Sequence, residues 1–190
     1  MEKLDLVPIG SALINEQELR RFNCGNQNIN DFLVFQARQF DIDNRAATFL
    51  LLKKRELLGF YTLVVGELEV KNTEEQCLIQ RPYVNLAYFA IDEKYHHKGY
   101  GKVMMGEVFQ SVAVISFYAG VEIIYLEAVD DSVQFYEKLG FKLFKPKRRP
   151  ELMQCDTSKI EFPMFITVKT LYQNNYYGYL QNYVRNTIEK

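Results

Sequence analysis

The segment Leu86–Met105 constrains the fold more than any other part of this 190-residue chain. An apolar, strand-like run, Leu86–Ile91, is followed by the turn His96–Gly101, and a helical apolar periodicity begins at Lys102. A helix N-terminus carries unpaired N–H groups and the positive end of the helix dipole, and glycines let an anion approach the main chain. This order of elements predicts an anion site, and we expect a phosphate-bearing ligand at residues 99–102.

The glycine spacing of this turn excludes two common phosphate-binding motifs. The first glycine of a Rossmann Gly-x-Gly-x-x-Gly fingerprint is missing, and no Gly-Lys-Ser/Thr of a P-loop follows. His96 and His97 are adjacent, so their side chains point in different directions and form a poor metal pair. By spacing alone, an ordinary strand-to-helix turn stays an alternative to a phosphate site.

Composition limits the class of protein. The 190 residues, 48% of them apolar, are enough for one domain with a substantial core. Because 23 Lys and Arg oppose 24 Asp and Glu, nucleic-acid binding would need a local basic patch. Three widely spaced cysteines support neither a disulfide framework nor a zinc site. With no membrane-length apolar run and no signal-peptide pattern, we expect a reduced, cytoplasmic protein.

Strand-like and helical segments alternate along the chain. Asn15 and Glu18 form a capping-box pattern for a short helix, and apolar residues recur at helical spacing over 29–40, with Asn28 or Asn30 as the cap. The other predicted elements are extended segments at 47–52 and 57–70 around a charged hairpin tip, a helical turn at 73–79, a helix ending at Gly120, a strand at 123–128, a short helix at 131–139 and a strand at 141–144. Interleaved strands and helices predict the mixed α/β (α+β) class around a single sheet.

Two motifs resemble those of the GNAT superfamily of acetyl-CoA-dependent N-acetyltransferases. The first is the strand, turn and helix of Leu86–Met105, where the family has Gln/Arg-x-x-Gly-x-Gly/Ala before the helix. The second is Phe-Tyr-x-x-x-Gly-Phe at residues 135–141. Both motifs occur in the family's order and separation, which is more specific than either alone. His96 departs from the pattern, because the family usually has Gln or Arg at this position.

The N-terminal half is similar to a narrower group. The residues Phe22-x-Cys24-Gly25, the following segment 29–33 and the segment 58–63 resemble the GNAT subgroup that includes toxins of bacterial toxin–antitoxin pairs. Those enzymes acetylate the amino acid on charged tRNA. The resemblance therefore implies a bacterial protein that acetylates a primary amine, with aminoacyl-tRNA as the alternative acceptor and an antitoxin as partner. The net charge of −1 counts against tRNA.

The resemblance also implies a fold and a binding site. The fold is a GNAT-like mixed, mostly antiparallel sheet with splayed central strands, flanked by helices on both faces. One domain, 1–190, would comprise an N-terminal half with acceptor-site helices (1–83), an acetyl-CoA-binding core (84–145) and a C-terminal strand and tail (146–190). The residues implied to bind acetyl-CoA are Phe89 and Ile91 on the splayed strand and His96, His97, Lys98, Gly99, Tyr100, Gly101 and Lys102 in the pyrophosphate turn; no metal is implied.

Acetyl transfer requires a neutral amine, a donor for the oxyanion and a proton for the departing thiolate. Tyr136 matches the general-acid tyrosine of the family, and a phenol with a pKa near ~10 stays protonated at neutral pH. Glu67, Glu69 and Glu127 are candidate general bases, although each is also interpretable as a solvated charge, and a water chain is the alternative. The cysteines have no companion histidine pattern, so an acyl-cysteine route is not expected.

Three alternatives stay open at this point. The protein is either an enzyme or a non-catalytic scaffold that retains a CoA-binding fold. The basic turn 145–149 is either a tRNA contact or a solvated surface. The tyrosine-rich tail from Tyr172 either forms a nucleic-acid face or packs on its own domain or on a second subunit, as in a homodimer.

Overall fold

A mixed β-sheet organises the protein, whose computed structural model describes residues 4–11, 14–71, 78–144 and 161–173. Within these residues the sheet has seven strands in the order β1-β2-β3-β4-β5-β7-β6. The strands are β1 (Leu4–Pro8), β2 (Ala47–Lys53), β3 (Glu56–Lys71), β4 (Leu78–Ile91), β5 (Ile123–Val129), β6 (Lys142–Leu143) and β7 (Glu161–Thr167). The α-helices are α1 (Glu16–Leu19), α2 (Gln27–Phe35), α3 (Ala37–Ile42), α4 (Tyr100–Ala119), α5 (Val133–Lys138) and α6 (Val168–Gln173).

Strand pairing confirms the mostly antiparallel sheet. In the described part of the chain, β4 and β5 form the one parallel pair, and every other neighbouring pair is antiparallel. The charged hairpin tip between β2 and β3 is also confirmed, since Lys54 and Arg55 adopt left-handed φ values of 50° and 69°. A right-handed strand twist favours such turns at a tight hairpin.

Two apolar cores lie on opposite faces of the sheet, which confirms helices on both sides. Alternate residues of a strand point to opposite faces. Leu51 and Leu58 accordingly join a core with α4, α5 and α6, whereas Leu50 and Leu57 join a second core with α1, α2 and α3. The threonine hydroxyls of Thr48 and Thr62, which are buried on the second side, are 2.9 Å apart and hydrogen-bonded to each other.

The helical segment predicted over 29–40 is divided into α2 and α3. Its cap is Asn26, whose side chain accepts a hydrogen bond from the Asn28 N–H at 3.1 Å, rather than Asn28 or Asn30. The chain breaks at Gln36, whose ψ of −37° is helical but whose φ of −123° is not. The break lets α3 bring Phe40 edge-on against Phe32, with 5.8 Å between ring centroids.

The two central strands separate, as the resemblance implied. Only three residues of each strand pair between β4 and β5: Tyr83–Asn85 pairs with Ile123–Tyr125. In contrast, β4 stays paired with β3 as far as Ile91. A β-bulge marks the start of the separation, because Thr62 pairs with Tyr88 and Leu63 with Leu86, which leaves Ala87 as the extra residue. The end of β4 therefore has a free edge facing the gap, here called the splay.

The other predicted elements agree with the structure to different extents. The capping box of Asn15 and Glu18 is confirmed, and α4 ends at Gly120, which has a left-handed φ of 69°. Leu78 and Ile79 were predicted in a helical turn but begin β4, because the long strand β3 provides pairing partners for them. Residues 72–77 of that turn, the basic turn 145–149 and the tail beyond 173 lie outside the described residues. Among the helices described, including the 20-residue α4, none combines the length and apolar character of a membrane crossing.

Candidate active site

The free edge of β4 presents main-chain groups to the splay. The Asp92 N–H donates a hydrogen bond to the Leu58 carbonyl of β3 at 2.9 Å. Because successive N–H and C=O groups of a strand point to alternate edges, those of Phe89 and Ile91 point away from β3 and toward the gap. A sheet interior normally has no free groups of this kind, so an extended ligand can pair with the strand here.

His96 joins the turn to the end of this strand. Its Nε2 atom lies 2.7 Å from the Ile91 carbonyl oxygen. Since a carbonyl oxygen only accepts hydrogen bonds, Nε2 carries the proton and donates. The structure therefore shows His96 holding the strand end, while His97 is exposed with a left-handed φ of 58°.

The turn that follows is open at Gly99. Gly99 has a left-handed φ of 84°, and a Cβ atom placed on it would meet nothing within 4 Å. Lys98 is turned toward the preceding 3-10 turn, since its Nζ donates to the Lys94 carbonyl at 2.6 Å and lies 5.3 Å from the Tyr95 ring centroid. The main chain at Gly99 is therefore accessible from outside.

The N-terminus of α4 offers donors beside this opening. Gly99 is the N-cap and provides no side chain to cap the helix. The Lys102 N–H donates to the Gly99 carbonyl at 3.1 Å, whereas the N–H groups of Tyr100 and Gly101 precede the first intrahelical hydrogen bond. With the dipole of a 20-residue helix behind them, these donors suit a phosphate.

Asp92 fixes the start of the turn. Its side chain is only 2% exposed and accepts hydrogen bonds from two main-chain N–H groups, that of Lys94 at 3.0 Å and that of Asn23 at 3.1 Å. A buried carboxylate needs such donors. The Lys94 Nζ atom, 4.0 Å from Asp92 Oδ2, adds an ion pair.

Tyr136 lies at the other side of the splay, on α5. Its side chain is 7% exposed, and burial raises the pKa of its phenol. Within the described residues no hydrogen bond reaches its hydroxyl. No buried side-chain oxygen or nitrogen there is without a partner, so the Tyr136 oxygen keeps contact with solvent. A protonated phenol with no protein partner is available to donate to a ligand.

Aromatic rings connect Tyr136 to the strand and to α4. The Phe89 ring lies 6.2 Å from the Tyr136 ring and 6.0 Å from the Phe135 ring, measured between centroids. A Cβ atom on Gly101 would lie 3.5 Å from the Phe135 ring. The strand edge, the open turn and the phenol ring are therefore neighbours, and the region that they border is here called the groove.

The three candidate bases occupy different places. Glu67 lies opposite Pro82 and Glu69 opposite Gln80, which places them about 23 Å and about 30 Å from Phe89 at roughly 3.3 Å per residue. Glu127 lies at the splay, two residues after the last β4–β5 pair. It is exposed and accepts a hydrogen bond from the Tyr125 hydroxyl at 2.9 Å. Only Glu127 of these three is near the groove.

The structure adds a cavity that the sequence analysis missed. A cavity of about 360 Å³ lies where α1, the β2–β3 hairpin and the turn after β4 meet. Four of its lining residues are cationic: Arg21, Lys54, Arg55 and Lys94. These come from three separate chain segments, so no sequence motif could group them. Within the described residues no cluster of three or more His, Cys, Asp or Glu side chains could hold a metal ion.

Solved structures similar to this chain share its fold. A tyrosine-to-phenylalanine mutant of the toxin AtaT, bound to the C-terminus of the antitoxin AtaR and acetyl-CoA, is 22% identical with a TM-score of 0.72, covering 92% of this chain and 99% of that one. AtaT complexed with acetyl-methionyl-tRNAfMet is 21% identical with a TM-score of 0.73, covering 90% and 98%. A tyrosine-to-phenylalanine mutant of KacT is 20% identical with a TM-score of 0.72, covering 90% and 99%.

A family model provides the stronger comparison. The acetyltransferase (GNAT) domain matches residues 44–143, which is more than half of the 190 residues. This range contains the splayed strands, the open turn at Gly99 and the phenol of Tyr136. From the domain match and the shared fold together, we conclude that the chain belongs to the GNAT acetyltransferase family.

Proposed function

We propose that this acetyltransferase moves the acetyl group of acetyl-CoA directly to a primary amine, with Tyr136 as general acid. The observation that carries the proposal is the phenol of Tyr136, which has no hydrogen-bond partner among the described residues and whose ring lies against that of Phe89 on the free strand edge. A non-catalytic scaffold would have no use for a protonated phenol that is open to a ligand beside the free strand edge.

Each part of the groove has a role in this proposal. The main-chain groups of Phe89 and the N–H of Ile91 pair with the pantetheine arm, and the N–H groups at Gly99, Tyr100 and Gly101 bind the pyrophosphate. Lys102, exposed in the first turn of α4, adds positive charge. His96 holds the strand end in place through the Ile91 carbonyl.

The proton and electron movements balance within this groove. The neutral amine forms a bond to the thioester carbonyl carbon, and the carbon–sulfur bond then breaks. The Tyr136 hydroxyl donates its proton to the departing sulfur. Glu127, directly or through water, takes the proton that the amine loses, because it is the candidate carboxylate at the splay. A strand-edge N–H at Phe89 stabilises the oxyanion.

An assay of thiol release tests this proposal. The purified protein is mixed with acetyl-CoA and a panel of acceptors: polyamines, lysine peptides and aminoacyl-tRNA. We expect thiol release with at least one amine and its loss in the Tyr136→Phe protein. Tight acetyl-CoA binding without thiol release for the whole panel would favour the scaffold instead.

Within the proposal, aminoacyl-tRNA is the acceptor that a specific observation favours. The cavity near the turn contains Arg21 and Arg55, and neither forms an ion pair within the described residues. The lining also contains three carboxylate residues, Glu18, Glu56 and Asp92, against its four cations. The two guanidinium groups without ion pairs are the groups that suit an RNA phosphate. AtaT, which shares the fold, is known as a complex with acetyl-methionyl-tRNAfMet.

With this acceptor, we propose a bacterial cytoplasmic protein that has an antitoxin as partner and forms a homodimer. Inducing the protein should then arrest growth, and co-expression of the antitoxin should relieve the arrest. Thiol release with small amines but not with charged tRNA, together with normal growth after induction, would contradict the tRNA proposal and leave the general one.

A further inference from the structure

We propose that Asn23 is a positioning residue that joins the acceptor-side helix α2 to the pyrophosphate turn, so that acetyl-CoA in the turn orders α2. The inference rests on the proposed function, since the turn is assigned there to acetyl-CoA. It concerns a segment, Asn23–Asn30, that takes no part in the proposed chemistry.

Asn23 contacts the start of the turn through three hydrogen bonds. Its main-chain N–H donates to Asp92 Oδ2 at 3.1 Å, and its carbonyl accepts from the Glu93 N–H at 2.9 Å. Its side-chain Nδ2 donates to Glu93 Oε2 at 3.1 Å. The direction of this side-chain hydrogen bond is fixed by its two groups, because the amide nitrogen donates and the carboxylate can only accept.

The same side chain also contacts α2. Asn23 Oδ1 accepts hydrogen bonds from Asn30 Nδ2 and from the Gly25 N–H, both at 3.0 Å. Asn30 in turn accepts from the Cys24 N–H at 3.1 Å. One amide therefore links a helix residue to the turn, with its oxygen on the helix side and its nitrogen on the turn side.

Gly25 makes room for this link. Its φ is +80°, and a Cβ atom placed there would lie 2.5 Å from Glu93 Oε1. A larger residue would be strained by the left-handed backbone, and its Cβ would displace the Glu93 carboxylate from this position.

Helix α2 reaches the other end of the groove as well. Phe32 stacks on Tyr88, with 3.7 Å between ring centroids, and Tyr88 directly precedes Phe89 on β4. The helix is thus attached to the strand through Phe32 and to the turn through Asn23. Because both attachments involve elements of the proposed acetyl-CoA groove, a ligand that steadies the turn should also steady α2.

A polarity swap tests the link. Asn23→Asp places a second carboxylate about 3 Å from that of Glu93, and we expect acetyl-CoA binding to weaken about tenfold. Adding Glu93→Gln restores the hydrogen bond with its direction reversed, because the new amide at position 93 donates to the new carboxylate at position 23. The double variant should therefore recover most of the acetyl-CoA affinity. Gln27→Ala is the matched control, because it removes an exposed amide–carboxylate bond to Asp31 on the same helix.

The experiment measures acetyl-CoA binding by calorimetry and amide hydrogen exchange in α2 with and without acetyl-CoA. Wild type and Gln27→Ala should gain protection in α2 on binding, Asn23→Asp should lose this gain, and the double variant should regain it. If Asn23→Asp does not fold, Asn23→Ala, which adds no charge, should show the same loss of coupled protection.

Two outcomes would overturn the inference and they differ in meaning. Acetyl-CoA binding to wild type with additive effects of the two substitutions, or with no change in α2 exchange, would refute the positioning role alone. No acetyl-CoA binding to wild type would refute the proposed function and the inference with it.

Discussion

The phenol ring of Tyr136 lies edge-on against the ring of Phe89, with 6.2 Å between their centroids and a 64° angle between their planes. The two rings belong to α5 and to β4, the strand whose free edge faces the splay. The main chain of Phe89 faces the same gap. This contact places the phenol ring of Tyr136 beside the free strand edge.

Replacing Tyr136 with phenylalanine should lower turnover without lowering affinity. Loss of a general acid reduces kcat by roughly 10²- to 10⁴-fold. The Kd for acetyl-CoA should change less than about twofold, because the ring still packs against Phe89. Thiol-release kinetics and calorimetry measure the two quantities. Tyr118→Phe, at a tyrosine that is 65% exposed, is the control and should change neither. Equal turnover of the Tyr136→Phe protein and wild type would show that another group protonates the sulfur.

The same substitution should make the protein more resistant to alkali. Burial raises the pKa of the Tyr136 phenol in the folded state, while the unfolded value is near ~10. Folding therefore favours the neutral phenol, and this contribution is present below about pH 10 and lost as the pH rises through the folded pKa. We expect the free energy of unfolding of Tyr136→Phe, relative to wild type, to rise by up to ~1.4 kcal/mol per pH unit above about pH 10. Urea unfolding at several pH values measures it, and a constant difference would contradict the buried state of the phenol.

Two glycines at the ends of α4 provide a matched test of the anion site. Gly99 and Gly120 both have left-handed φ values, 84° and 69°, and a Cβ atom on either would meet nothing within 4 Å. Substitution by alanine should therefore cost a similar ~1 kcal/mol of stability at each position. Only Gly99→Ala places a methyl group at the proposed phosphate position, and it alone should weaken acetyl-CoA binding, by about tenfold or more. Equal acetyl-CoA affinity for the two variants would exclude Gly99 from the binding site.

The cavity arginines should matter for an RNA acceptor and not for the acetyl donor. Arg21→Ala combined with Arg55→Ala should raise the KM for charged tRNA about tenfold, with a larger effect at low salt, because phosphate contacts release counterions. The KM for acetyl-CoA should stay unchanged. Lys169→Ala, an exposed cation on α6, serves as the control. If the double variant raises the KM for acetyl-CoA as much as the KM for charged tRNA, the arginines support the pyrophosphate turn and do not bind RNA.

Features with local causes could be predicted from the sequence. The strand, turn and helix of Leu86–Met105 follow from apolar periodicity and the two glycines, and the hairpin tip at 53–56 follows from its charge run. The splay was predictable only through the family resemblance, because the loss of pairing between β4 and β5 depends on the three-dimensional path of strands that are distant in the chain.

Features that depend on long-range contacts escaped the sequence analysis. The interruption of the helix at Gln36 reflects packing of Phe40 on Phe32, and nothing in the local pattern marks it. The link from Asn23 to Glu93 joins residues that are 70 positions apart. The fragment Phe22-x-Cys24-Gly25 indicated a family relationship, but its physical reason, a bare backbone beside the Glu93 carboxylate, is visible only in the fold.

The central claim is that Tyr136 assists a direct transfer from acetyl-CoA to an amine, and a single-turnover experiment with labelled acetyl-CoA tests it most directly. The protein is mixed with the label and with charged methionyl-tRNA, or with whichever amine of the panel releases thiol, and mass spectrometry follows the acetyl group. The account predicts that acetyl-amine and free thiol appear together at one rate, which Tyr136→Phe slows at least 100-fold or so. Accumulation of acetylated protein before product, or an unchanged rate in the Tyr136→Phe protein, would contradict it.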